Sequence, residues 1–142
     1  MSTLFVEKLY IKRTHGEPAE GAGCVKLIEG RGVEGDIYAQ GGDRQVCIIS
    51  AETQRAVREN ISREPCLARF SCNIVIGGGF VPQRGEEYVV GGAGLCIAQV
   101  GRECHKICKL YADGGECPLV RGAVFARVTQ TGEVKTKDAV IK

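Results

Sequence analysis

Short runs of β-favouring residues separated by glycine dominate this sequence. Glycine supplies 20 of the 142 residues, about twice the usual share of roughly 7%. Eight runs are rich in apolar and β-branched residues and are bounded by Gly, Pro or charged residues; they span 4–12, 24–28, 45–50, 72–76, 87–90, 95–100, 123–128 and 139–141. Many short strands at this spacing predict a mainly β protein, with a closed or nearly closed β-barrel as the favoured architecture.

A few short helices are expected beside the strands. Ser50 is a suitable N-cap for a helix over 51–58. A second short helix is predicted over 104–111, ended by Asp113 and two glycines. No repeat or linker divides the chain, and its length suits one core. We therefore expect a single domain over residues 1–142.

Charge and hydropathy narrow the range of partners. The net charge is only +2, from 19 basic and 17 acidic residues, so no basic field favours nucleic acid. The first residues lack a signal-peptide pattern, and no stretch reaches the roughly 18 apolar residues that span a bilayer. We expect a cytoplasmic protein that binds neither nucleic acid nor a membrane. In that reducing compartment, clustered cysteines more often bind metals or catalyse reactions than form disulfides.

One such cluster lies near the end of the chain. Three thiols and an imidazole fall within fourteen positions: Cys104, His105, Cys108 and Cys117. A thiol reacts or binds metal as its thiolate, which nearby cations favour, and Lys106 and Lys109 supply that charge. In the predicted helix Cys104 and Cys108 would share one face. A Cys₃His zinc site is a less favoured alternative, because the Cys-x₃-Cys spacing is not the usual zinc knuckle.

The remaining cysteines and basic residues have less definite roles. Five cysteines lie mostly in strand-like runs and are expected to be small buried hydrophobes: Cys24, Cys47, Cys66, Cys72 and Cys96. The run Gly41–Gly42–Asp43–Arg44 is a candidate phosphate or pterin contact, since successive glycines expose amides and arginine binds phosphate bidentately. Arg121 follows the Cys117–Pro118 turn and is predicted to face the same cleft as Cys108.

The order of several motifs resembles the MOSC domain, named for the C-terminal part of molybdenum cofactor sulfurases. The resemblance covers nearly the whole chain. Within the family, the chain is similar to the compact bacterial branch. Its motifs are Gly35–Asp36, 42–46, 73–75, Gly85–Glu86 and 108–110, together with Cys104–His105-x-x-Cys108, Asp113–Gly114-x-x-Cys117–Pro118 and Gly122-x-x-Phe125 continuing to Val128.

The resemblance implies a mostly β-barrel fold and a positively lined cleft for the molybdopterin form of the molybdenum cofactor. It implies that Cys108 is the sulfur carrier or the molybdenum ligand. Cys104 and Cys117 are expected to assist as additional catalytic thiols. The residues expected to contact the cofactor are Asp43, Arg44, Lys109 and Arg121.

Three functions follow from these observations. The favoured one is a sulfur carrier, similar to a sulfurtransferase, that binds the molybdenum cofactor through a reactive cysteine. Its expected partners are a cysteine desulfurase or other sulfur donor and molybdoenzyme maturation proteins, because the chain is too short to include a pyridoxal-phosphate desulfurase domain. One alternative is a cofactor-dependent reductase component for N-hydroxylated compounds. The other is a non-enzymatic zinc or persulfide-binding maturation module.

Overall fold

The computed structural model of the protein describes residues 3–60, 70–102 and 117–142. Within them lie eleven strands and two helices. The strands are β1 (Phe5–Ile11), β2 (Glu20–Ala22), β3 (Cys24–Ile28), β4 (Gly32–Val33), β5 (Val46–Ser50), β6 (Ile74–Gly77), β7 (Glu87–Val90), β8 (Ala93–Val100), β9 (Val124–Gln130), β10 (Gly132–Lys135) and β11 (Val140–Ile141). The helices are α1 (Ala51–Glu59) and α2 (Pro118–Gly122). The mainly β prediction is confirmed.

The described strands form two open sheets. The larger sheet has eight strands in the order β11-β7-β8-β9-β5-β6-β1-β2, and the smaller has the order β10-β3-β4. An isolated bridge joins Phe5 of β1 to Ala139, the residue before β11, so the β11 edge of the larger sheet approaches β1. The predicted closed barrel is not confirmed, because β3, β4 and β10 pair among themselves and neither sheet closes on itself.

The pair formed by β5 and β6 lies at the centre of the fold. These two strands are parallel, and α1 connects them, as a parallel pair requires a crossover. Ile48 and Ile74 point into the main core, whereas Ile49 and Val75 pack in a cluster on the opposite face with Ala51 of α1. Burial on both faces explains why these strands are continuous apolar runs instead of alternating ones.

Both helices begin with the expected local chemistry. In α1 the Ser50 hydroxyl accepts a hydrogen bond from the Thr53 amide at 3.1 Å, which confirms the predicted cap and satisfies one free amide of the first turn. The short α2 starts with Pro118, whose fixed φ suits the first helical position. The predicted helix over 104–111 lies outside the described residues. No described helix is long and apolar enough to cross a membrane.

Candidate functional site

A pocket opens beside the starts of β5 and β9 and the residues before β6. Its volume is about 260 Å³, and its described lining is Asp36, Tyr38, Arg44, Cys47, Phe70, Ser71, Asn73, Arg102 and Phe125. We call it the arginine pocket. It collects residues from the loop before β5, from the segment before β6 and from the end of β8, which are far apart in sequence.

Three neighbouring chain segments form the floor of the arginine pocket. Cys47 on β5 is the register partner of Phe125 on β9. On its other side, the amide of Asn73 donates to the carbonyl of Cys47 at 2.8 Å. Asn73, Cys47 and Phe125 therefore form a row across the sheet, so the floor is held by backbone hydrogen bonds.

A buried Asp36–Asn73 pair supports this floor. The Asn73 amide group donates to the Asp36 carboxylate at 3.1 Å, and its carbonyl oxygen accepts from the Cys47 amide at 3.0 Å. The carboxylate also accepts from the backbone amides of Lys12 at 2.7 Å and Tyr38 at 3.0 Å. Both side chains are buried and fully partnered, which fixes the loop that leads to Arg44 against the sheet.

Two arginines stack on aromatic rings of the pocket. The Cζ of Arg44 lies 4.6 Å from the Phe125 ring centroid, and the Cζ of Arg102 lies 5.6 Å from that of Phe70. Stacking holds a guanidinium by cation–π attraction while its N–H edges stay available for an anion. The pocket thus combines two positioned cations with two aromatic rings.

The thiol-rich segment begins and ends beside the arginine pocket. Arg102 immediately precedes residues 103–116, and Cys117 follows them. The amides of Gly101 and Arg102 donate to the carbonyls of Ala123 and Val120 at 2.7 and 3.0 Å. These bonds tie the end of β8 to α2 and the start of β9, so both attachments of the segment are close to the pocket wall.

The predicted cofactor contacts differ in whether they line the arginine pocket. Arg44 lines the pocket, but Asp43 is exposed and pairs with Arg127 at 3.6 Å. Arg121 is exposed in the last turn of α2 and has interactions of its own. The amide of Gly41 donates to the carbonyl of Arg31, so it is already used within the fold.

The central thiol predictions stay untested. Cys104, His105, Cys108 and Lys109 lie outside the described residues, as does Cys66. Cys117 is buried, with 2% of its surface exposed, in an apolar cluster with Leu119 and Phe125. Among the described residues no group of three or more His, Cys, Asp or Glu side chains is arranged to hold a metal.

Of the nine described residues that line the pocket, only Arg44 was among the predicted cofactor contacts. Arg102 was not singled out from the sequence and Cys47 was expected to be a buried hydrophobe, yet both line the pocket. The signal for Arg102 was its position directly before the cysteine cluster. A further correction concerns Cys24, which is exposed because its side chain lies on the outward side of β3, where burial alternates.

Two of the described cysteines, Cys47 and Cys72, have a raised pKa. Burial raises the pKa of Cys47, and the neighbouring Cys72 thiol adds to the effect, although Arg102 and Arg44 oppose it. Burial likewise raises the pKa of Cys72 from its ordinary value of 9.0 to about 12. Burial penalises the charged form of a thiol, so neither cysteine is expected to be a nucleophile near neutral pH.

Alkylation should therefore distinguish these cysteines. At pH 8 we expect iodoacetamide to label the exposed Cys24 at least tenfold faster than Cys47 or Cys72 in the folded protein, because only the thiolate reacts. Peptide mass mapping after timed quenching measures this ratio, and denatured protein is the control in which the three rates converge. Equal rates in the folded protein would contradict the raised pKa of the Cys47 and Cys72 thiols.

The raised values also set a direction for stability at alkaline pH. A thiol whose pKa is higher in the folded state than its ordinary 9.0 binds its proton more tightly when folded. The contribution of the Cys72 thiol to the free energy of unfolding is complete below pH 9.0 and is lost as the pH rises toward 12.

Comparison with known proteins gives the family of the chain. The MOSC domain family matches residues 12–141. Among curated proteins, none matches the chain significantly.

Solved structures show the same fold. The YuaD protein from Bacillus subtilis is 19% identical, with a TM-score of 0.64, over 99% of this chain and 97% of that one. YiiM from Geobacillus stearothermophilus is 15% identical, with a TM-score of 0.65, over 97% and 74%. YiiM from Escherichia coli is 19% identical, with a TM-score of 0.60, over 96% and 68%. With the family match over residues 12–141, these similarities show that the chain belongs to the MOSC domain family.

Proposed function

We propose that this protein binds the molybdenum cofactor and carries sulfur for it on Cys108. The MOSC family is linked to sulfur transfer related to this cofactor. The observation that carries the proposal is the arginine pocket, in which Arg44 and Arg102 are held on aromatic rings beside the attachments of the thiol-rich segment.

The residues of the arginine pocket suit the anionic end of a pterin cofactor. Two guanidinium groups match the charge and the planar hydrogen-bonding pattern of a phosphate. The nearby carboxylate of Asp36 already accepts three hydrogen bonds, so it is oriented toward its donors. The volume of about 260 Å³ lies below the roughly 300–1,000 Å³ of a pocket that encloses a whole ligand. We therefore assign to this pocket the phosphate and part of the ring system.

In this proposal Arg44 and Arg102 hold the phosphate and Phe70 and Phe125 keep the two cations in place. When bound, the cofactor would supply a thiophilic metal centre that takes a sulfur ligand. The sequence places Cys104 two positions and Cys108 six positions after Arg102. That order supports a carrier thiol close to the bound anion, and Lys106 and Lys109 favour its thiolate.

The sulfur step needs only thiol chemistry. The Cys108 thiolate attacks the terminal sulfur of a desulfurase persulfide; a new S–S bond forms on Cys108, the donor S–S bond breaks and the donor leaves as a thiolate. Attack of Cys104 on the Sγ of Cys108 then forms a disulfide and releases the terminal sulfur as hydrosulfide. A dithiol reductant would return both cysteines to thiols before the next cycle.

Mass spectrometry tests the carrier directly. After incubation with a cysteine desulfurase and cysteine, we expect the intact protein to gain one sulfur atom that dithiothreitol removes. Cys108→Ala should abolish the gain. Cys104→Ala should retain the added sulfur and slow its release, because the resolving thiol is missing.

The matched control is Cys24→Ala, which removes an exposed thiol on β3, outside the lining of the arginine pocket. It should take up sulfur as the wild type does. Wild-type protein without an adduct, or an adduct lost equally in Cys24→Ala and Cys108→Ala, would contradict the proposal.

A further inference from the structure

A second pocket lies on the α1 side of the arginine pocket. Its volume is about 480 Å³, within the roughly 300–1,000 Å³ range of small-molecule sites, and it shares Phe70 and Ser71 with the arginine pocket. The structural elements that line it are the end of β1, the loop over 16–19, β5, α1 and the segment before β6. The proposed function leaves it without a role.

The walls of the second pocket are mainly apolar. Ile49 and Val57 are buried side chains that reach it from β5 and α1, and Pro18, Ala19 and Phe70 complete the apolar lining. Such surfaces gain free energy when they contact a hydrocarbon or aromatic body and release water. The preferred occupant therefore has an apolar ring system.

Two cations face this apolar volume without a carboxylate partner. Lys12 and Arg58 line the pocket, and neither forms an ion pair within the described ranges 3–60, 70–102 and 117–142. Arg58 is exposed in the last turn of α1, and its charge acts on the thiol of Cys72, which lines the same pocket. Glu17 is the one acidic residue in the described lining, so the charge of that lining sums to about one positive unit.

Polar groups are also available for orientation. The amide nitrogen of Gln54 donates to the hydroxyl oxygen of Tyr10 at 3.1 Å, which leaves the Tyr10 hydroxyl proton to donate elsewhere. Ser71 adds a hydroxyl at the wall shared with the arginine pocket. A carboxylate could accept from these hydroxyls while it pairs with Lys12 or Arg58.

We propose that the second pocket binds a small aromatic monocarboxylate. Its ring contacts Ile49, Val57 and Phe70, and its carboxylate lies between Lys12 and Arg58. A single negative charge matches the net charge of the lining, whereas a phosphate dianion would be opposed by Glu17. This site is distinct from the arginine pocket and does not depend on the proposed sulfur chemistry.

Binding of 1-naphthoate tests the proposal. Ligand-observed NMR titration of the full chain should give saturable binding, and Arg58→Gln and Lys12→Gln should each weaken it about five- to tenfold, as expected for loss of one charge-assisted contact. Arg55→Gln is the matched control on α1, because Arg55 pairs with Glu52 and does not line the pocket. Melting temperatures of all variants should stay close to that of the wild type.

Related probes distinguish the alternatives. Neutral 1-naphthamide should bind at least fivefold more weakly than 1-naphthoate, and 1-naphthyl phosphate should not bind more tightly. Absence of naphthoate binding, equal binding to the Arg58→Gln and Arg55→Gln variants, or tighter binding of the phosphate would overturn the assignment. Weakening by Arg44→Gln but not by Arg58→Gln would place the ligand in the arginine pocket and overturn it as well.

Discussion

Asn73→Ala is expected to lower the free energy of unfolding by about 3 kcal/mol, since it leaves buried hydrogen-bonding groups without partners. The Asn73 side chain accepts from the Cys47 amide at 3.0 Å and donates to Asp36 at 3.1 Å. It also donates to the Tyr10 carbonyl at 3.3 Å. Alanine removes all three contacts and adds none, and Asp36 loses a donor in a buried environment. Urea denaturation of wild type and variant measures the difference.

A matched control separates this effect from ordinary loss of a side-chain hydrogen bond. Gln40 donates to the Ile37 carbonyl at 2.9 Å, but it is exposed, so Gln40→Ala should cost less than about 0.5 kcal/mol because water replaces the lost partner. If Asn73→Ala changed stability no more than Gln40→Ala, the buried Asp36–Asn73 pair would not support the pocket floor.

The long strands of this fold could be predicted from the sequence because they form the core. The predicted runs 4–12, 95–100 and 123–128 overlap β1, β8 and β9, which are the longest strands. The missed strands β2, β4 and β10 have two to four residues and each contains glycine, and β2 and β10 also contain charged residues. Tertiary pairing determines such strands, as β10 is held by its register with β3, and local β-propensity is a weak guide to them.

The helices and the closure of the sheet also differ in whether local sequence predicts them. Ser50 and the residues after it predict α1 from local chemistry. In contrast, α2 has only five residues, too few for a periodic pattern, and the burial of Leu119 in the tertiary fold stabilises it. Whether strands close a barrel depends on which distant edges pair, and the turns in the sequence do not specify this.

For the candidate site, the sequence predicted the kinds of side chain involved better than it predicted which residues come together in the fold. Arg44 was predicted to contact an anion and does line the arginine pocket. Arg102, Phe70 and Phe125 come together only through the sheet, where β8, β9 and β5 are neighbours. A single sequence contains no signal for such long-range stacking, so the aromatic support of the arginines had to come from the structure.

Loss of the two pocket arginines should have the largest effect on cofactor binding. We expect Arg44→Gln and Arg102→Gln each to weaken binding of molybdopterin, extracted from a molybdoenzyme and followed by pterin fluorescence, by about tenfold or more. A hydrogen bond to a charged group contributes about 1.5–3 kcal/mol, and about 1.4 kcal/mol corresponds to tenfold. The double variant should bind about a hundredfold more weakly, because in the proposed complex the two cations would contact the phosphate from different elements.

The matched control is Arg127→Gln. Arg127 lies on β9, as Phe125 does, but it is half-exposed and pairs with Asp43 outside the pocket lining. Its removal lowers the net charge of the protein by the same amount, so it should change binding less than twofold. If all three single variants weakened binding equally, the attraction would reflect overall charge and not a phosphate held in the arginine pocket. Rising salt should weaken binding to the wild type more than to the double variant, since screening acts on the charges that the double variant lacks.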